Sequence, residues 1–228
     1  MDGCNRVSQY NMRVAVSEND WLDGARKRMN RSIVIENLTF SYGDKELLTD
    51  LSMVLASGSK KGIMGPSGSG KTTLLHLIAG LLKPESGRIY SPEDVLEIRF
   101  SMVFQDGRLV ENLNVFQNIR MVNESLGEGE IQQMLEALEL GAYGKKKVRR
   151  LSGGERQRIA ILRALAADYD VLLLDEPFSG LDRRMKQIVA TYICEKSRGK
   201  ILVLVTHDKE DAKLMGADVL ELQECMGR

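Results

Sequence analysis

The chain predicts an α/β fold: a mixed β-sheet flanked by helices, an antiparallel β subdomain ahead of it and a small α-helical subdomain within it. Three observations carry that prediction. The short apolar run Lys61-Gly62-Ile63-Met64 leads into the glycine-rich segment Gly65-Pro66-Ser67-Gly68-Ser69-Gly70-Lys71-Thr72, and a helix-patterned run, Thr72 to Ala79, follows at once. Val171-Leu172-Leu173-Leu174 and Ile201-Leu202-Val203-Leu204-Val205 are continuous apolar runs of strand length, as expected for parallel strands buried on both faces. Between Asn114 and Arg150 the pattern turns helical, with Ile131, Met134, Leu135 and Leu138 on one face.

Taken in order, residues 1–30 are polar and show no clear period. Met29 directly precedes Asn30-Arg31-Ser32-Ile33, so either Met29 is the native start, or the first 28 residues are a loosely attached tail, or they are a functional N-terminal extension. Alternation from Ile33 to about Ala56 predicts two antiparallel strands around the turn Gly43-Asp44. Further strands are expected near 60–64, 96–104, 171–175 and 201–206. The helical subdomain spans about 114–165, a short helix follows His207, and a last strand covers Asp218 to Leu222. Residues 31–228 therefore form the one folded domain.

The glycine-rich segment has the chemistry of a polyphosphate cradle. Gly65, Gly68 and Gly70 allow backbone conformations that a side chain hinders, so the loop N–H groups can turn inward as an anion nest. The helix beginning near Thr72 and Thr73 adds its positive N-terminal end. Lys71 is placed to reach the β and γ phosphates, and the Thr72 hydroxyl to ligate Mg²⁺. A second site closes the apolar run at 171–174. Asp175 and Glu176 follow it, where open α/β sheets bind ligands. Asp175 is the candidate Mg²⁺ contact through water, and Glu176 the candidate general base for an attacking water.

Eighty residues beyond the loop the chain reads Leu151-Ser152-Gly153-Gly154-Glu155, followed by Arg156-Gln157-Arg158. With the two sites above, in this order, the chain from about Ile33 to Gln223 resembles the nucleotide-binding subunit of an ATP-binding cassette (ABC) transporter. The resemblance implies a P-loop NTPase core, ATP and Mg²⁺ as cofactors, and ATP hydrolysis coupled to transport. It implies that Tyr42 stacks on adenine and that Gln105 contacts Mg²⁺ and the attacking water. It further implies that His207, in Thr206-His207-Asp208, steadies the γ-phosphate, and that Asp182, in Ser179-Gly180-Leu181-Asp182, couples paired sites. In this family two cassettes clamp two nucleotides head to tail. Ser152, Gly153 and Gly154 would then touch a phosphate held by the partner's loop, and the closed pair would be the competent hydrolase.

The partners so implied are a second copy of the chain, transmembrane permease subunits and, for an importer, an extracytoplasmic solute-binding protein. The short helical subdomain and the rhythm Phe104-Gln105-Asp106-Gly107-Arg108-Leu109 look most like small bacterial importer cassettes. Two departures stand out. Gly180 replaces a frequent alanine, a change expected to be tolerated. Asn114 and Gln117 stand where importers carry threonine and glutamate, in a stretch expected to contact the permease. A non-transport clamp on ribosome or DNA is the alternative. One cassette per chain, and only about eighty residues between Lys71 and Ser152, count against it.

Bulk properties agree. Thirty-two Lys+Arg balance 32 Asp+Glu, so no overall basic field points to nucleic acid. The segment Lys145-Lys146-Lys147-Val148-Arg149-Arg150 is the local exception, readable as a solvated loop or as a binder of nucleic acid or acidic lipid. Cys4, Cys194 and Cys225 lack metal spacing and suggest a reducing compartment. No apolar run approaches the roughly 18 residues that span a bilayer. The expected setting is the cytoplasm, peripheral on the inner face of the cell membrane.

Overall fold

Strands β1 (Ile33–Tyr42) and β2 (Lys45–Leu55) pair antiparallel across the turn at Gly43-Asp44, as the alternation predicts. The computed structural model describes residues 31–92 and 98–222. The N-terminal extension, Met29, Cys4 and Cys225 lie outside the described residues. A third strand, β4 (Ser86–Tyr90), adds to the free edge of β1 and gives the order β2-β1-β4. That strand has no counterpart in the sequence reading.

The second sheet is parallel throughout, in the order β5-β6-β7-β3-β8. Its strands are β3 (Lys60–Met64), β5 (Phe100–Val103), β6 (Val171–Asp175), β7 (Ile201–Val205) and β8 (Asp218–Glu221). The mixture of strand directions expected from the sequence is thus divided between two sheets. Successive side chains of a strand point to opposite faces, and here each face has its own core. Val171, Leu173, Ile201, Val203 and Val205 pack with the antiparallel sheet and with α1 (Lys71–Ile78). Leu172, Leu174, Leu202 and Leu204 pack with the helices on the other side. Two cores, one per face, account for the unbroken apolar runs.

The helices of the second core are α2 (Val115–Arg120), α3 (Glu128–Ala137), α4 (Gly153–Ala166), α5 (Arg183–Lys196) and α6 (Lys209–Met215). Ile131, Leu135 and Leu138 are fully buried and Met134 packs beside them, as their spacing predicts. The polybasic segment runs from just after one 3-10 turn, Gly141–Tyr143, through a second, Val148–Arg150; Lys145, Lys147, Arg149 and Arg150 are exposed and Lys146 is half-buried.

Asn114 caps α2: its Oδ1 accepts from the Gln117 N–H at 2.8 Å, and Gln117 Oε1 accepts from the Asn114 N–H at 2.9 Å. This is a reciprocal capping box, the same device that threonine and glutamate build at this spacing. The departure at these two positions therefore preserves the local structure. Gly180 has φ +72°, in the left-handed region, where glycine is accommodated and an alanine would be strained.

Candidate functional site

Strand β3 delivers the glycine-rich loop onto the N-terminus of α1, at the C-terminal edge of the parallel sheet. Gly65 has φ +152°, and a Cβ on it would lie 2.4 Å from the Leu222 carbonyl oxygen and 2.8 Å from Ser69 Oγ. Only glycine lets the loop pass this close to the end of β8. Lys71 Nζ donates to the carbonyls of Gly65 at 2.9 Å and Pro66 at 2.6 Å, so the lysine lies folded along its own loop. Ser69 Oγ is buried with no hydrogen-bond partner.

Register across the sheet brings the carboxylates to this loop. Asp175 at the end of β6 pairs with Val205 at the end of β7, so Glu176 and Thr206-His207 emerge side by side. Thr72 Oγ1 donates to Asp175 Oδ2 at 2.9 Å, while Asp175 Oδ1 is buried without a partner. Burial pushes the Asp175 carboxyl above the usual carboxylate value, and the Thr72 hydroxyl only partly offsets this. A buried carboxylate beside a threonine hydroxyl suits a cation, and the narrow loop with an unpartnered serine suits phosphate oxygens. The residues present fit ATP with Mg²⁺.

Glu176 sits at φ +48°, an uncommon conformation for a residue with a side chain. Two contacts hold it there. Its N–H donates to the Val205 carbonyl at 3.0 Å. From α4, the buried Gln157 amide donates to the Pro177 carbonyl at 3.1 Å and, more weakly, to the Glu176 carbonyl at 3.4 Å. The strained turn aims Glu176 Oε1 at His207 Nδ1, 2.8 Å away. That hydrogen bond, with the charge of Glu176 behind it, raises the His207 pKa above the ordinary 6.5.

The His207–Glu176 contact therefore contributes stability that is complete below pH 6.5 and lost as pH rises through the raised value. His207 is largely exposed, so the contribution is screened and below about 1 kcal/mol. The ring-proton shifts of His207 should titrate above the ordinary imidazole value, and Glu176→Gln should return them toward it. Titration unchanged by Glu176→Gln would show that the contact does not form in solution.

Tyr42, Gly65, Ser67, Gly68, Gly70, Lys71, Thr72, Thr73, Gln105, Asp175, Glu176 and His207 line one cleft of about 480 Å³. Lys45 and Leu47 of β2 line it too, and sequence reasoning did not name them. Tyr42 is half exposed at the rim, its ring edge-on to Phe40. Its cross-strand partner, Lys45, could have been found only by knowing that the β1–β2 turn reaches the loop. His76, read as structural, is half-buried in α1 with its ring 6.0 Å from that of Phe104.

Ser152, Gly153, Gly154 and Asp182 lie outside this cleft. Ser152 caps α4 through a capping box, with Glu155 Oε2 accepting from the Ser152 N–H at 2.7 Å and Ser152 Oγ accepting from the Glu155 N–H at 3.4 Å. Asp182 caps α5, its Oδ1 accepting from the Met185 N–H at 2.8 Å. The two caps are neighbours: a Cβ on Gly154 would lie 3.0 Å from the Gly180 carbonyl. One chain thus carries a narrow glycine loop suited to phosphate and, apart from it, an exposed helix N-terminus.

A glycine loop closing on a helix N-terminus, faced by carboxylates at the end of a parallel strand one removed from it in the sheet, defines a P-loop nucleotide-binding protein. The ABC transporter family model matches residues 48–179. A probable sulfate/thiosulfate import ATP-binding protein of Chlorella vulgaris is 35% identical over 206 residues, covering 84% of this chain and 87% of that protein. An Fe(3+) ions import ATP-binding protein of Fusobacterium nucleatum is 38% identical over 198 residues, covering 81% and 53%. A spermidine/putrescine import ATP-binding protein of Acetivibrio thermocellus is 35% identical over 208 residues, covering 84% and 59%.

The chain thus spans between half and three fifths of the length of the two bacterial relatives. Among solved structures, a bacterial Atm1-family ABC exporter with ATP bound superposes with a TM-score of 0.75 at 26% identity, covering 86% of this chain and 38% of that one. A dimeric bacterial ABC transporter cassette superposes with a TM-score of 0.70 at 29% identity, covering 84% and 94%. The chain belongs to the ABC transporter family, and its relatives are named as ATP-binding proteins.

Proposed function

We propose that this cassette hydrolyses ATP in a closed pair of identical chains and couples the cycle to solute movement through a separate transmembrane permease. The observation that carries the proposal is the single cleft uniting Lys71, Thr72, Asp175, Glu176 and His207. The loop from Gly65 to Thr73, with Pro66, Ser67, Ser69 and Gly70, would wrap the phosphates with backbone N–H groups. Lys71, released from the Gly65 and Pro66 carbonyls, would neutralise them. Thr72, Asp175 and Gln105 would hold Mg²⁺, and bound Mg²⁺ would supply Lewis-acid stabilisation of charge on the phosphate oxygens. Glu176 would accept a proton from water, and His207 would hold that water and the γ-phosphate in line.

Tyr42 at the rim would stack on the adenine. Ser152, Gly153 and Gly154 are exposed or half-exposed and so free to complete the cleft of a second copy, with Asp182 beside them. Relatives named for import of sulfate/thiosulfate, Fe(3+) ions and spermidine/putrescine support an importer. Their cargoes differ although the cassette sequence is shared, which fits a motor that never touches its solute. Among the described residues no helix is long and apolar enough to cross a membrane. A solute-binding protein would complete such a system.

The test is recovery of a tagged Glu176→Gln chain from detergent-solubilised membranes of its host, with ATP and Mg²⁺ present. A polytopic membrane protein retained near one-to-one is the expected result. Ribosomes, DNA-bound factors or nothing integral to the membrane would overturn the coupling to a permease.

A further inference from the structure

His207 is exposed, and its one hydrogen bond to Glu176 cannot by itself fix the segment that carries it. The segment is fixed from below. The Asp208 N–H donates to Thr206 Oγ1 at 3.1 Å, and Thr206 Oγ1 donates to Asp211 Oδ2 at 3.4 Å. Asp208 caps α6 by accepting from the Glu210 N–H at 2.9 Å. Thr206 is fully buried and Asp211 is 5% exposed, so this small network sits where an unpaired charge is costly.

The cation that completes it comes from another helix. Lys186 Nζ donates to Asp211 Oδ1 at 2.7 Å and to Asp208 Oδ2 at 3.2 Å. Lys186 lies on α5 one turn beyond Asp182, the residue that caps α5. One side chain therefore ties the helix that follows the 179–182 turn to Asp208, next to His207, and to Asp211, which holds Thr206 on its other side. The ammonium lies on the wall of a groove of about 790 Å³ between α5 and α6, so its removal opens no enclosed void.

We propose that Lys186 is a positioning residue for hydrolysis: by clamping Asp208 and Asp211 it holds His207 toward Glu176 and links that geometry to the 179–182 turn. This rests on the reading of His207 and Glu176 as the hydrolytic pair. Lys186 does not line the nucleotide cleft. Its loss should spare ATP binding and impair turnover. That split separates a positioning role from general structural damage.

The test uses the full chain carrying Lys186→Met or Lys186→Arg. Lys186→Met should lower kcat about tenfold or more, the scale of a catalytic group misplaced by a fraction of an ångström. KM for MgATP should stay within about twofold, since the cleft itself is untouched. Lys186→Arg keeps the charge and should recover most of the turnover. The chain has only two histidines, so ring ¹⁵N spectra report the clamp directly. In Lys186→Met the His207 signal should move to that of a free imidazole while the His76 signal stays.

Stranding Asp211 can unfold Lys186→Met, so the doubly neutral Lys186→Met/Asp211→Asn chain is measured beside it and should show the same loss of turnover. A folded variant of either kind with parental kcat and an unmoved His207 signal overturns the proposal. So does a fall in ATP binding equal to the fall in kcat. A parent chain that turns over no ATP would instead refute the hydrolytic reading, and the His207 spectra would still judge the clamp.

Discussion

Glu176→Gln is expected to lower steady-state ATP turnover about a hundredfold or more, the usual contribution of a positioned general base. The amide keeps the size of the side chain and the strained turn at φ +48°, but it cannot accept a proton from water. Binding groups are untouched, because Lys71, Thr72 and Asp175 contact one another and the loop rather than Glu176. Bound ATP should therefore persist, and the variant should run as a stable pair in size-exclusion chromatography with ATP and Mg²⁺ while the parent returns to single chains. Equal phosphate-release rates in variant and parent would remove Glu176 from the role of base. Loss of ATP binding along with turnover would mean that the carboxylate holds the nucleotide rather than activating water.

Gly65→Ala should damage both the fold and nucleotide binding. The new Cβ would stand 2.4 Å from the Leu222 carbonyl oxygen, and that backbone is itself tied down, since the Leu222 N–H donates to the Met64 carbonyl at 2.7 Å. On the other side lies Ser69 Oγ at 2.8 Å, in the middle of the anion cradle. Neither wall can yield without moving either β8 or the loop. Backbone strain of this kind costs on the order of 1–3 kcal/mol, and relief by shifting the loop would misdirect its N–H groups. ATP affinity should fall at least about tenfold and the melting temperature should drop by several degrees. A fluorescent nucleotide titration and a thermal melt measure the two. Parental affinity in a fully folded Gly65→Ala chain would show that the loop does not use its observed conformation to bind.

The parts of the fold that the sequence announces are those where one local rule decides. The cradle loop, the strand before it and the helix after it follow from glycines, a short apolar run and a helical pattern in direct succession. Strands β6 and β7 follow from unbroken apolar runs, because both of their faces are covered. β4 was illegible for the opposite reason. Ser86-Gly87-Arg88-Ile89-Tyr90 is short and mostly exposed, and it becomes a strand only because β1 offers it a free edge. Helix α5 did carry a signal, with Met185, Val189, Tyr192 and Ile193 recurring on a buried stripe. The polar start of the helix drew attention to Asp182 as a functional turn and away from its role as a cap.

The site divides along the same line. Residues of the cradle were readable because they are contiguous. The pairing of Glu176 with His207, 31 residues apart, depends on β6 and β7 being neighbours in register, and strand order leaves no local mark. Lys45, Leu47 and Lys186 escaped notice because each reaches its place from another element. The Asn114–Gln117 box was visible as letters but was read as a departure, since the family pattern uses different letters for the same hydrogen bonds.

Gln157 decides how the molecule can articulate. Its amide is buried, and it hangs α4 from the carbonyls of the Glu176-Pro177 turn. Swinging α4 against the parallel sheet would strand that amide, at a cost of about 1–3 kcal/mol. Ser101 Oγ, from β5, donates to the Ala164 carbonyl at 2.8 Å and rivets the far end of the same helix. Helix α4 therefore travels with the sheet as one plate. Helices α2 and α3 pack on α4, so a push on them bears on the helix that holds the Glu176 turn.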